Sequence, residues 1–257
     1  MSLSFSGLTL TLGGRRILGN ISGNFDAGRV TAVLGCNGAG KSSLLSCLAG
    51  LRKPKEGNVA LDGKSILTLD GKERGRLIGL LPQQPDIHWD VDVKTIVELG
   101  RFPHSGGWGL STDDHEAVFK AMAATNCTEL AERKVMRLSG GEQGRVLLAR
   151  VLAGEPRWLL ADEPLSSLDP AHQFDVLSRL KTYATAGNGV VVVLHDLTHA
   201  ARFADNVIIL KDGAVFAAGP CEQIMTAETI AEVYGVEIHI SLSDGGRPLL
   251  IPLRQTT

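Results

Sequence analysis

The chain has 257 residues, 44% hydrophobic and 21% charged, a globular balance that excludes long disordered tracts. Twenty-six Lys and Arg stand against 28 Asp and Glu, for a formal charge of −2, which excludes bulk electrostatic capture of nucleic acid. No purely apolar run is longer than that of Val190 to Leu194, far below the roughly 18–20 residues of a spanning helix, and Met1 to Phe5 shows no secretory signal.

Taken in order, Leu8 to Leu12 alternates apolar and polar as a strand does, and Gly13-Gly14 supplies a turn. Val30 to Leu34 reads as a buried strand ending at Gly35, and Lys41 to Leu51 as a helix with Leu44, Leu45 and Leu48 on one face. Asn58 to Leu61 is a further strand, and Leu77 to Leu81 is apolar up to Pro82. From Pro85 to Leu138 the character changes to candidate helices, Val93–Leu99 and His115–Thr125, around a loose stretch from Pro103 to Gly109. The α/β alternation then returns, with helices over 142–152, 170–184 and 197–203 and strands over 158–161 and 190–194. A hairpin around Lys211-Asp212-Gly213, a short helix over 229–234 and a turn at Asp244-Gly245-Gly246 complete the pattern. The cysteines Cys36, Cys47, Cys127 and Cys221 form no C-x-x-C pair and fit neither a zinc site nor a disulfide framework, so a reducing, cytoplasmic setting is expected.

Gly35-Cys36-Asn37-Gly38-Ala39-Gly40-Lys41-Ser42 matches G-x-x-x-x-G-K-[ST] between a strand and a helix. Its glycines let backbone N–H groups wrap a phosphate, and the following helix aims its positive end at the same anion. Lys41 is placed to reach the β/γ-phosphates and the Ser42 hydroxyl to hold Mg²⁺. The bland alternative is a glycine-rich loop without a ligand. Asp162 and Glu163 end the apolar strand that begins at Trp158 and point toward the crevice where nucleotides sit in parallel α/β folds. Asp162 would serve the metal, and Glu163 would position and deprotonate the attacking water. Leu138-Ser139-Gly140-Gly141-Glu142-Gln143 starts a helix with a serine and two glycines, a second anion site without a lysine or carboxylate pair of its own. Two chains whose cradles complete one another are an economical solution; a helix start with a capping serine is the plain one.

With these motifs in this order, nearly the whole chain resembles the nucleotide-binding subunits of ATP-binding cassette (ABC) transporters. Gly35 to Ser42, with Ser43, resembles the phosphate loop, Gln83 the Q-loop glutamine and Leu138 to Gln143 the signature motif. Leu160 to Pro164 resembles the Walker B strand with its catalytic glutamate, Ser166-Ser167-Leu168-Asp169 the D-loop, and His195 the H-loop histidine. The resemblance implies an α/β fold: a P-loop NTPase (RecA-like) core with an antiparallel β subdomain over 1–84 and 139–257, and an inserted α-helical subdomain over 85–138. It implies ATP and Mg²⁺ as cofactors, with Ser42, Gln83 and Asp162 toward the metal and Lys41, Glu163 and His195 in catalysis. It also implies a head-to-tail dimer with ATP between phosphate loop and signature, so that Ser139, Gly140, Gly141, Glu142 and Asp169 act across the interface.

His195 and His199 share an H-x-x-x-H spacing that resembles zinc sites, but His195 ends a strand, so the two rings should diverge. His88, His104 and His115 are expected at the surface, and Trp89 and Trp158 in packing. Where family members commonly carry an aromatic that stacks on adenine, this chain has Leu12, which predicts weak base selectivity. Cys36 stands where proline is common, and near Lys41 and a helix start its thiolate should be favoured, predicting inhibition by thiol reagents with protection by ATP. Gly144 replaces a long polar side chain that is frequent at that point. A chain with no spanning segment must borrow an integral membrane permease to drive transport, and would lie on the cytoplasmic face of the inner membrane. Val97-Glu98-Leu99-Gly100-Arg101-Phe102-Pro103-His104, with His172-Gln173, is similar to ATPases of importers for iron–siderophore chelates, haem and cobalamin, which work with a periplasmic binding protein. An exporter ATPase, a soluble ABC ATPase and a P-loop switch without strong hydrolysis are the competing readings.

Overall fold

In the computed structural model the described residues are 2–83, 90–107, 109–166, 168–243 and 248–255. Two sheets share a core, and their order follows from apolar patterning. β1 (Ser2–Leu12) and β2 (Arg15–Asp26) form a long antiparallel hairpin, extended by β4 (Glu56–Leu61) and β5 (Lys64–Ser65) in the order β2-β1-β4-β5. The second sheet has six strands. β3 (Val30–Leu34), β6 (Ile78–Leu81), β7 (Trp158–Asp162), β8 (Gly189–Val193) and β9 (Asn206–Lys211) run parallel, and β10 (Ala214–Pro220) pairs antiparallel with β9, in the order β10-β9-β3-β8-β7-β6.

Successive residues of a strand face opposite sides. Val30, Ala32, Leu34, Val190, Val192, Val207 and Ile209 therefore enter one core, against α5 (Gly140–Ala153), α6 (Pro170–Thr185) and α7 (Leu197–Phe203). Val33, Leu160, Val191, Val193, Ile208 and Leu210 enter the other, against α1 (Lys41–Leu48) and the first sheet. Covering both faces is why every residue of β3 and β8 is buried, with Thr31 the one polar side chain among them. α1 stops at Leu48, short of the Leu51 that the sequence suggests; Leu51 is exposed. Trp158 is fully buried, as its packing role requires, while His88 and Trp89 lie outside the described residues.

A third core joins α3 (Val93–Glu98), α4 (Thr112–Ala124) and the inner face of α5 through Val97, Val118, Met122, Val146 and Ala149. α4 starts three residues before its expected first residue because Ser111 and Asp114 form a capping box. α5 belongs to two cores: Leu147, Leu148 and Val151 face the sheet, and Val146, Ala149 and Ala153 face the helices.

Several elements escaped the sequence reading. β2 continues the hairpin past Gly13-Gly14. α2 (Gly71–Leu77) carries an Asp70–Glu73 capping box but buries none of its residues, so it has no apolar stripe to announce it. After the four-residue α8 (Cys221–Ile224) and α9 (Ala227–Tyr234), β11 (Val236–Leu242) and β12 (Pro248–Gln255) make a separate hairpin; its turn, Asp244-Gly245-Gly246, lies outside the described residues.

Candidate nucleotide site

The phosphate loop fills the step from β3 to α1. Gly35 has φ +140°, and a Cβ there would lie 2.1 Å from the carbonyl oxygen of Leu210. Gly40 caps α1 with φ +100°, and a Cβ there would meet Leu18 at 2.6 Å. Only glycine meets both demands, positive φ and close approach. α1 begins with no acidic residue in its first turn and no side-chain cap, so nothing on that turn competes with an anion. Lys41 is 5% exposed, and its ammonium donates to the carbonyls of Gly35 (2.8 Å) and Cys36 (3.1 Å), held on the loop itself. Burial lowers its pKa; Glu163, Cys36 and Asp162 oppose that shift.

Around this loop lies a cavity of about 710 Å³, bordered by Asn37, Gly38, Lys41, Ser43, Gln83 and His195 among others. The Ser42 hydroxyl donates to Asp162 Oδ1 at 3.0 Å. Burial raises the pKa of Asp162 and the Ser42 hydrogen bond opposes it. Glu163 follows with φ +49°, an uncommon conformation that turns its side chain away from the line of β7. Gln83 Nε2 donates to Glu163 Oε2 at 2.5 Å, and His195 Nε2 lies 2.5 Å from Glu163 Oε1. Gly38, Gly40, Lys41, Ser42, Ser43, Gln83, Glu163 and His195 are thus brought to one cavity. Ala39 is buried in the core instead, and Cys36 turns its thiol to the carbonyl of Val233 at 3.2 Å.

Signature residues do not border this cavity. The Ser139 hydroxyl accepts from the Glu142 N–H at 3.3 Å, and Glu142 Oε2 accepts from Ser139 N at 2.8 Å, a capping box at the start of α5. That hydrogen bonding holds Glu142 below its ordinary pKa. Gly141 lies against the His172 ring, and His172 is held by Asp169 at 2.7 Å from the cap of α6. At Gly144 a Cβ would sit 3.7 Å from Leu168, an ordinary contact, so the packing of the D-loop on α5 does not itself require glycine there. Ser167 lies outside the described residues.

Two expectations, on Leu12 and His104, are corrected, and the divergence of His195 and His199 is borne out. Leu12 packs against the core, and it is Arg15 and Ile17, alternate residues of β2, that border the cavity. The signal was the two-residue period of a strand the sequence reading did not extend past the turn. His104 is half-buried rather than on the surface, with Nε2 2.9 Å from the carbonyl of Gly154. His195 contacts Glu163, whereas the His199 ring packs on Phe174 and Phe203, so the two rings diverge. Within the stretch Val97 to His104, Gly100, Arg101 and His104 make internal ties, while Leu99 and Phe102 are exposed. Arg101, 5% exposed, binds Asp114 (2.7 Å), Glu155 (2.8 Å) and the carbonyl of Ala153, and a Cβ at Gly100 would fall 2.0 Å from the Arg150 carbonyl oxygen.

The profile of the ABC transporter family matches residues 18–166, and the chain belongs to that family as one of its ATPase cassettes. It is 40% identical over 249 residues to the hemin import ATP-binding protein HmuV of Bordetella avium, covering 93% of this chain and 94% of the relative. It is 41% identical over 248 residues to the protein of the same name from Thermobifida fusca, with 96% and 87% covered. The fold is similar to a metal-chelate type ABC transporter solved in an inward-facing conformation, with a TM-score of 0.85, 28% identity, and 98% of this chain and 97% of that one covered. A dimeric bacterial ABC transporter cassette matches with a TM-score of 0.76 and 31% identity over 85% of this chain and 98% of that one. The architecture is accordingly a P-loop NTPase cassette.

Proposed function

We propose that this chain is the ATP-hydrolysing subunit of an importer for an iron complex, with haem as the first candidate, acting through a separate permease. The observation that carries the hydrolytic reading is one cavity lined by Lys41, Ser42, Gln83, Glu163 and His195, with Ser42 bonded to Asp162 and Glu163 held by Gln83 and His195. The haem reading rests on the names of the HmuV relatives. Among the described residues no helix is long and apolar enough to cross a membrane, which supports a peripheral subunit on a membrane partner.

The donors of Ser42, Gln83 and Asp162 are all oxygens or an amide carrying one, the hard ligand set that Mg²⁺ takes. Mg²⁺ held there would neutralise charge on the β- and γ-phosphates. Lys41 moves from its own loop carbonyls to the phosphates, an exchange of partners without exposure of its charge. Glu163 orients the attacking water and accepts its proton, and His195 holds the carboxylate and contacts the γ-phosphate. Because Ser139 and Gly141 stand outside the cavity of their own chain, the reading assigns them to the ATP of a second copy, packed head to tail. The test is phosphate release by the purified chain with Mg²⁺ and ATP. Glu163→Gln should still bind ATP but turn over at least about 100-fold more slowly; parental turnover in that variant refutes the assignment. For the cargo, the chain with its permease in vesicles should be stimulated by a haem-loaded binding protein. Stimulation only by a siderophore- or cobalamin-loaded one would reassign it.

A further inference from the structure

We infer that Tyr234 is a positioning residue for the phosphate loop, and that with Cys36 it forms a clasp by which the end of α9 sets the loop's first turn before nucleotide arrives. The inference rests on the nucleotide site proposed above. Tyr234 lies beyond residues 18–166, where the family profile matches, so the contact reaches the shared motif from a part of the chain the profile does not describe.

The geometry is a two-sided grip. From one side, Gly35 N–H donates to the Tyr234 hydroxyl at 2.8 Å, and the Cys36 thiol donates to the carbonyl of Val233 at 3.2 Å. From the other, the carbonyls of Gly35 and Cys36 accept from Lys41. α9 is fixed in turn. Gly235, with φ +66°, ends it, and Lys211 at the end of β9 donates to the carbonyl of Glu232 at 2.9 Å. β9 also packs on the loop, through the close approach of Leu210 to Gly35. A proline at position 36 would lack the thiol donor, so half of the grip depends on Cys36. Burial pushes the Tyr234 hydroxyl up to about 12, so it stays neutral across the working range of pH.

A loop ordered in advance avoids an ordering cost on binding, so the clasp acts on affinity and leaves the chemical step alone. Tyr234→Phe keeps the ring in the core and removes only the hydroxyl. We expect the Kd for a fluorescent ATP analogue and the KM for ATP to rise about three- to tenfold, with kcat within about twofold of the parent. In nucleotide-free protein, amide hydrogen exchange over residues 35–38 should speed up while the strands of the six-stranded sheet keep their protection. Unchanged Kd and KM, or a fall in kcat at constant KM, overturns the clasp, and so does unchanged exchange at the loop. Exchange is read without nucleotide, so it tests the clasp even if the parent binds no ATP; that failure would count against the nucleotide-site reading instead.

Discussion

Lys41 shows how a buried charge can be kept ready. Two carbonyls of its own loop hold the ammonium, and two carboxylates lie close enough to support its charge against the cost of burial. Replacing it by Met removes a charged donor from the cradle and leaves those carbonyls without their partner. Nucleotide affinity should fall roughly 10- to 100-fold, as expected for a lost hydrogen bond to a charged group, and equilibrium titration with ATP measures it; parental affinity would sink the reading. Much of this site could be read from the sequence because each part is contiguous: Gly35 to Ser43 in one run, Asp162 and Glu163 at one strand end, His195 after another. Arg15 and Ile17 could not, since their placement depends on which face of β2 meets the loop. Nor could Tyr234, whose contact with Gly35 joins residues 199 positions apart.

At the level of elements, the Arg101–Asp114 pair locks the turn after α3 to the start of α4 and, through Ala153 and Glu155, to the end of α5. Both residues are 5% exposed. Arg101→Ala would leave Asp114 buried without its cation and should cost about 3–5 kcal/mol of stability, measurable by urea unfolding. Bonds from Ser111 and Arg101 hold Asp114 down to about 2, below its unfolded value of 3.8. Its contribution is therefore full above pH ~4 and drains away as pH falls from there toward ~2. Between pH 6 and 3 the parent should lose more stability than Asp114→Asn; parallel profiles would contradict this. The sequence shows Gly100, Arg101 and His104 only as a run similar to that of relatives, and the fold supplies their physical reason as ties between helices. The β11–β12 hairpin stayed hidden because its strands alternate weakly: Ile238 and Leu250 are buried, while Leu242, Ile251 and Leu253 are exposed.

For the whole molecule, the separation of Ser139 and Gly141 from the cavity of their own chain argues for a pair of chains. Glu163→Gln with ATP should elute at twice the monomer mass. Adding Ser139→Arg should return it to monomer while ATP binding persists; a single-chain mass under both conditions would refute the pairing. β8 carries a different consequence. It places four consecutive valines, Val190 to Val193, between β3 and β7 in the middle of the sheet. Such a stretch, uncharged and free of proline, is harmless only while its neighbours cover it, and in a heated chain it is a template for pairing between molecules. Loss of this protein on warming should therefore be governed by clumping rather than by a reversible balance. Its apparent melting point should climb with faster scans and no second transition should survive cooling; superimposable repeat scans would show the valines to be safely shielded even in the unfolded chain.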